Sequence, residues 1–331
     1  MKKLIAMLLA LVLVLGLAAC GASTAPEAPK TEEVTLNVAY MANWGSLWAV
    51  ATADAKGYFA EEGITINLTQ FEDGPSEIAA MKQGSMDVAF IGPGAHKLCS
   101  KGEAQVFLMQ HMGDGDCIIG LNGLKTLEEL KGKKVGYSAG TSSENILTTA
   151  LASVGLTMDD IEAVSMEATA LTTAALSNQI DAVAAWSPMS LTILEQAENA
   201  TDICSNVDFA TMASPGSWVV NPDWAAKNAD VLVRFNRAMF KAMDFAAAAT
   251  TDDAVAQEVA GYVAKITGLD TESTVKQRYD GSWLTSAQVL EMIESGKLVE
   301  YYNNQQVNFG DAAGPMKADE FVLVDLMTKA K

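Results

Sequence analysis

Gly136-Tyr137-Ser138-Ala139-Gly140 carries the spacing G-x-S-x-G, which between a strand and a helix can present a serine hydroxyl as a nucleophile. In hydrolases of that pattern an acid and then a histidine base follow the serine. This chain has two histidines, His96 and His111, and both precede Ser138. A serine without a general base is a weak nucleophile, so the pattern predicts a turn and no hydrolase. No HExxH, P-loop or Cys/His cluster occurs. Cys99, Cys117 and Cys204 lack CxxC spacing and a nearby histidine pair, and read as small buried residues. The expectation is a protein that is not an enzyme, with no catalytic residue, metal or cofactor.

The residue types suit noncovalent binding better. Gly92-Pro93-Gly94 follows an apolar strand, and Gly140-Thr141-Ser142-Ser143 follows another. A helix that starts after such a segment offers free N–H groups, hydroxyls and a partial positive charge to an anionic or strongly accepting group. Turns and caps use the same residues, and Glu144 would weaken an anion site at the second segment. Trp186 and Trp218 could wall a small organic solute or could be core. Trp224 and Trp283, in helical surroundings, are assigned to packing. His96 could donate to a solute or be a satisfied helix residue. Only Arg234, Arg237 and Arg278 carry a guanidinium, all in the C-terminal helical region, so a bare inorganic anion would lack an arginine fork.

The elements that would position these groups alternate. Val34 to Tyr40 and Ile64 to Phe71 alternate apolar with polar and read as strands. Met86 to Ile91 reads as a buried strand, and Gln105 to His111 as another. Helices are expected between them, one opened by Pro75 at its first turn. A second β/α unit follows, with capping boxes at Thr126–Glu129 and Thr141–Glu144. Its strands lie at Lys134 to Ser138, Ala163 to Met166 and Ile180 to Trp186. Ser217 to Asn221 reads as a strand, and from Pro222 helices are expected to continue to the end. The pattern predicts an α/β fold with mainly parallel sheets.

Composition narrows the function. With 22 basic and 41 acidic residues, a net charge of −19 and no Lys/Arg cluster, the chain would repel a nucleic acid. Half of the residues are apolar, which excludes a disordered chain. Lys2 and Lys3 precede the uncharged run Leu4 to Leu17. That run makes about 21 Å of helix, short of a bilayer core of about 30 Å, and reads as a signal peptide over residues 1–19. The segment Leu17-Ala18-Ala19-Cys20 resembles the bacterial lipoprotein cleavage box, which implies lipidation of Cys20. Residues 20–33, small and polar with prolines, read as a flexible tether.

The segment order then carries a wider resemblance. AKGYFAEEGITINL (55–68) is followed by EIAAMKQGSMDVAFIGPGA (77–95), TLEELKGKKVGYSAGTSSENILTTAL (126–151), QIDAVAAWSPM (179–189) and WVVNPDWAAKNADVLVRFNRAMFKAMDFA (218–246). Together these resemble the substrate-binding lipoproteins of ABC importers of the nitrate/sulfonate/taurine type, which includes thiamine-precursor binders. The resemblance implies a type II periplasmic-binding-protein fold, two α/β lobes with a ligand cleft between them. Lobe one is expected at 34–114 and 223–331 and lobe two at 115–222, with Gly113 and Gly115 at the hinge. It also implies ligand contacts at Asn43, Trp44 and Ser46, and favours the ligand role for Gly92, Pro93, Gly94, Gly140, Thr141, Ser142 and Ser143. The implied protein is a monomer, lipid-anchored outside the cytoplasm, that delivers a small solute to ABC permease subunits and their ATPase. The solute expected first is an organosulfonate such as taurine, then a thiamine-precursor pyrimidine or similar heteroaromatic, then nitrate. A sensing subunit and an anchored enzyme on the same fold are the remaining alternatives.

Overall fold

The computed structural model describes residues 32–209, 212 and 214–331. The expected signal peptide, Cys20 and most of the expected tether lie outside the described residues. From Glu33 onward the chain forms one unit containing two sheets.

The first sheet is built from β1 (Val34–Met41), β2 (Ile64–Phe71), β3 (Val88–Ile91), β4 (Gln105–Gly113), β10 (Pro215–Val220) and β11 (Gly281–Trp283). Their order across the sheet is β11-β4-β10-β3-β1-β2. β1 runs parallel to β2 from Val34 opposite Ile64 to Met41 opposite Phe71, and parallel to β3. β10 runs antiparallel between β3 and β4, and β11 antiparallel at the edge of β4. The second sheet contains β5 (Cys117–Gly120), β6 (Lys134–Tyr137), β7 (Glu162–Ser165), β8 (Ala182–Ala185) and β9 (Thr201–Ser205), in the order β7-β6-β8-β5-β9.

Burial follows from the strand period. Ile118, Ala182, Ala184 and Val135 point to one face of the second sheet, where Ile146, Leu147, Ala150 and Leu151 of the helix Ser142–Ser153 cover them. Ile119, Val183 and Ala185 point to the other, under Leu171, Ala174 and Ala175 of the helix Ala168–Leu176. Both faces are covered, so the central strands read as continuous apolar runs. In the first lobe the helix Ala229–Ala246 buries Leu232, Phe235, Ala238, Met239, Ala242 and Met243, a stripe at helical spacing.

Three expectations change. The sheets are not mainly parallel, because β10 and β11 run antiparallel to their neighbours in the first and β5 runs antiparallel to both β8 and β9 in the second. The second lobe was expected to reach residue 222, but β10 pairs with β3 and β4, so the chain returns to the first lobe before Pro215. The all-buried run of β10 fits either sheet by pattern; only its pairing assigns it. The C-terminal region is not wholly helical either, because β11 caps the edge of the first sheet. Three residues are too few to show alternation.

The two crossings lie side by side. The Gly113 N–H donates to the Ser214 carbonyl at 2.7 Å, and Asn206 Nδ2 donates to the Gly113 carbonyl at 2.9 Å. The Asn206 N–H in turn donates to the Asp116 carbonyl at 2.9 Å. Among the described residues no helix is long and apolar enough to cross a membrane.

Candidate functional site

The parallel strands of both sheets aim their carboxyl ends at one cleft. Asn43 follows β1, Gly92 follows β3, Thr141 follows β6 and Trp186 follows β8. In open α/β sheets this is where ligands bind, because helix starts converge there. A cavity of about 100 Å³ lies in the cleft and is lined from both lobes.

The lobes touch around that cavity. The helical turn Pro93–Ala95 of the first lobe packs on the start of the helix Ser142–Ser153 of the second. A Cβ at Gly94 would lie 2.0 Å from the Thr141 carbonyl carbon, so only glycine permits this approach. Beside it Lys97 Nζ meets Glu144 Oε2 at 2.8 Å. The Glu144 carboxylate also accepts the Gly140 N–H at 2.9 Å. Burial pushes its pKa up, but these two contacts outweigh burial and hold it below the usual range. On another side the Ser187 hydroxyl of the second lobe donates to the Asp280 carboxylate of the first. Lys276 and Glu195 form a longer pair, at 3.7 Å.

Asn43, Gly92, Pro93, Gly94, Thr141, Ser142 and Trp186 line the cavity. Five other expected contacts do not. Trp44 and Trp218 have no exposed surface and form a second layer beneath the lining. Trp44 packs on Trp283 with centroids 6.1 Å apart, and Trp218 sits 5.7 Å from Phe90. Trp218 Nε1 donates to Gln110 Oε1 at 2.9 Å, which satisfies its polar end inside the protein. Ser46 is buried and accepts the Met41 N–H. Ser143 accepts the Ser138 N–H and donates to the Ala184 carbonyl, tying its helix to β6 and β8. Gly140 supplies a left-handed turn, φ 83°, just outside the lining.

The lining also contains residues that sequence reading missed. Phe90, His111 and Trp283 form a ladder of rings: Phe90 and His111 stack at 5.8 Å, and His111 meets Trp283 at 4.8 Å. Trp283, assigned to packing, closes one wall because β11 brings it beside β4. Phe90 and His111 lie near strand ends facing the cleft, a signal visible once the strands are placed. Burial lowers the pKa of His111 to about 3, so its ring is neutral. Its Nδ1 is buried and has no hydrogen-bond partner. His96 lies elsewhere: its Nε2 is 3.0 Å from the Ser217 hydroxyl, and its Nδ1 is buried with no hydrogen-bond partner among the described residues.

Electrostatically the site differs from the expected anion cradle. Ser142 Oγ donates to Asp116 Oδ1 at 2.5 Å, and Ser214 Oγ approaches Asp116 Oδ2 at 3.4 Å. The helix start that looked available to a ligand anion therefore already faces a carboxylate of the protein. Burial raises the Asp116 pKa to about 6 against the lowering effect of the two hydroxyls. Asp280 also rises to about 6, chiefly through burial, with Ser187 opposing and Asp114 adding to the rise. Asp73, the cap of the helix Gly74–Lys82, completes the acidic lining. No lysine or arginine among the described residues belongs to it. Among the described residues no cluster of histidine, cysteine and carboxylate side chains could hold a metal ion.

Comparison with known proteins agrees with this architecture. The family model described as NMT1/THI5 like matches residues 46–252. A Brucella abortus (strain 2308) protein bearing the general name of a binding protein is 27% identical over 307 residues, covering 92% of this chain and 94% of its own. The taurine-binding periplasmic protein of Escherichia coli (strain K12) is 24% identical over 217 residues, covering 64% and 67%. Among solved structures, the alkanesulfonate-binding protein of Xanthomonas axonopodis pv. citri bound to MOPS superposes with a TM-score of 0.65 at 18% identity, over 88% of this chain and 99% of that one. These likenesses place the chain in the periplasmic-binding-protein fold. A desulfurization enzyme shares the fold at a TM-score of 0.58 and 14% identity, over 90% of this chain and 99% of its own.

Proposed function

The chain belongs to the NMT1/THI5-like family, and on that premise we propose that it is an extracytoplasmic solute receptor of an ABC importer. It binds a small organic solute between its lobes, closes on it and hands it unaltered to the permease and its ATPase. The observation that carries this reading is the cavity where strand ends of two lobes converge, with interlobe contacts around its rim. Closure of this kind is a population shift driven by a solute that touches both lobes. Binding-protein names among the relatives support a receptor over an enzyme, as does the order of His96, His111 and Ser138. The lipobox supports attachment to the outer face of the membrane through Cys20.

The solute is the finer part of the proposal. The names of a taurine-binding and two aliphatic sulfonate-binding relatives favour an organosulfonate. The lining favours the alternative, a heteroaromatic such as a thiamine-precursor pyrimidine, because it offers carboxylates and rings where a sulfonate would need donors and positive charge. A relative named for thiamine biosynthesis supports the same alternative. Thermal melting against these solutes tests the reading. A true ligand present at 100 times its Kd adds about 2.7 kcal/mol of stability, and small-angle scattering must show the lobes drawing together. A solute chemically changed after incubation would instead reveal an enzyme.

A further inference from the structure

The receptor reading leaves the charge of the solute open, and the cavity carries an answer. Asp73, Asp116 and Asp280 line it, and Asp114, whose N–H donates to the Asp280 carbonyl at 2.8 Å, adjoins it. The basic side chains nearest in the fold have carboxylate partners of their own: Lys97 with Glu144, Lys276 with Glu195 and Arg278 with Asp253. Among the described residues, Asp116, 5% exposed, has only two hydroxyls against it. A buried carboxylate without a cation is costly unless it takes up a proton, and a cationic solute would supply the missing partner.

Two further features point the same way. Trp186, Trp283 and Phe90 offer ring faces, whose negative quadrupole attracts a cation. His111, 7% exposed, keeps an unpartnered buried Nδ1 at the same wall. A neutral imidazole has one nitrogen that accepts; Nδ1 has no surface toward the cavity, so a solute N–H would meet the Nε2 edge of the ring.

We propose that this receptor selects a small organic cation with N–H donors, a protonated amine or amidinium, held between Asp280 of the first lobe and Asp116 beside the second. The cation draws the lobes together because it is the shared counter-ion of carboxylates contributed from both sides of the cleft. The overall charge of −19 also raises the local concentration of cations.

This inference rests on the receptor reading, and one experiment separates the two. The processed full-length protein is titrated by calorimetry with ammonium and amidinium salts from ethylammonium to benzamidinium, each paired with its isosteric carboxylate or sulfonate. At least one cation is expected to bind saturably while its anionic counterpart does not. Asp280→Asn and Asp116→Asn should each weaken that cation at least tenfold, with Asp280→Glu retaining part of the affinity. Urea melts of the variants confirm that they are folded. Binding of the anions in place of the cations overturns the charge assignment and leaves the receptor intact. Cation binding indifferent to both substitutions also overturns the assignment. Failure of both series to bind overturns the charge assignment, whereas the receptor reading falls only if thermal melting against the solute panel also finds no ligand.

Discussion

At the scale of single residues, burial decides protonation and so decides chemistry. His96 is enclosed, and burial lowers its pKa from 6.5 to about 3, although contacts to Pro93 and Gln305 oppose the shift. A folded pKa below the unfolded value means that its contribution to stability is full above pH 6.5 and is lost as pH falls toward 3. The loss is on the order of a few kcal/mol, at about 1.4 kcal/mol for each pKa unit. His96→Gln, which can keep a hydrogen bond to Ser217 without titrating, should flatten the acid limb of a stability–pH curve measured by urea denaturation. An unchanged slope would show that His96 does not report on that limb. Asp116 and Asp280 carry the opposite sign, since their raised pKa makes the folded state gain relative stability as pH falls from 6 toward 4. The histidine effect is therefore best read by difference from the unaltered protein.

At the scale of elements, neighbouring hydroxyls at one helix start do different work. Ser143 joins the helix Ser142–Ser153 to β6 and β8 by accepting the Ser138 N–H at 3.0 Å and donating to the Ala184 carbonyl at 2.8 Å. Ser143→Ala leaves both backbone groups buried without that partner and should cost about 1–3 kcal/mol in chemical denaturation. Ser142 instead turns to Asp116 at the cavity. Ser142→Ala should change solute affinity more than it changes the denaturation midpoint. Equal loss of stability in both variants would refute this division. The G-x-S-x-G segment forms the turn that the sequence predicted, and the Ser138 backbone ties it to the helix start, its N–H donating to Ser143 and its carbonyl accepting from Thr141.

At the scale of the whole molecule, closure depends on how near the lobes can come. Gly94 sits where the first lobe meets the Thr141 backbone, and a methyl group there would overlap it. Gly94→Ala should fold, because separating the lobes relieves the overlap, but it should remain open. Small-angle scattering with saturating solute should show a larger radius of gyration than the unaltered protein, and affinity should fall by about a hundredfold or more. A variant that closes normally would mean that the rim contact is not required. Removing the Lys97–Glu144 pair should act more mildly, since partly exposed ion pairs contribute about 1 kcal/mol or less.

Alternation and capping residues were enough to predict the strands of an α/β fold and the turns that follow them, because local periodicity and turn chemistry act within a few residues. The two lobes and the contacts expected at Asn43, Gly92 to Gly94 and Thr141 came from the resemblance of the segment order to a family, and folding brings these residues and Trp186 to one cavity. They could not assign β10 to the first sheet or reveal β11, since an all-buried strand and a three-residue strand carry no sign of their partners. Nor could they tell Trp283 at the wall from Trp44 and Trp218 behind it. The same holds for charge. Asp116 and Asp280 stand 164 positions apart in the chain, and only folding brings both to one cavity without a lysine or arginine in its lining. A sequence states which groups are present; the electrostatic sign of a site depends on which of them share a low-dielectric space, and that is a property of three-dimensional packing.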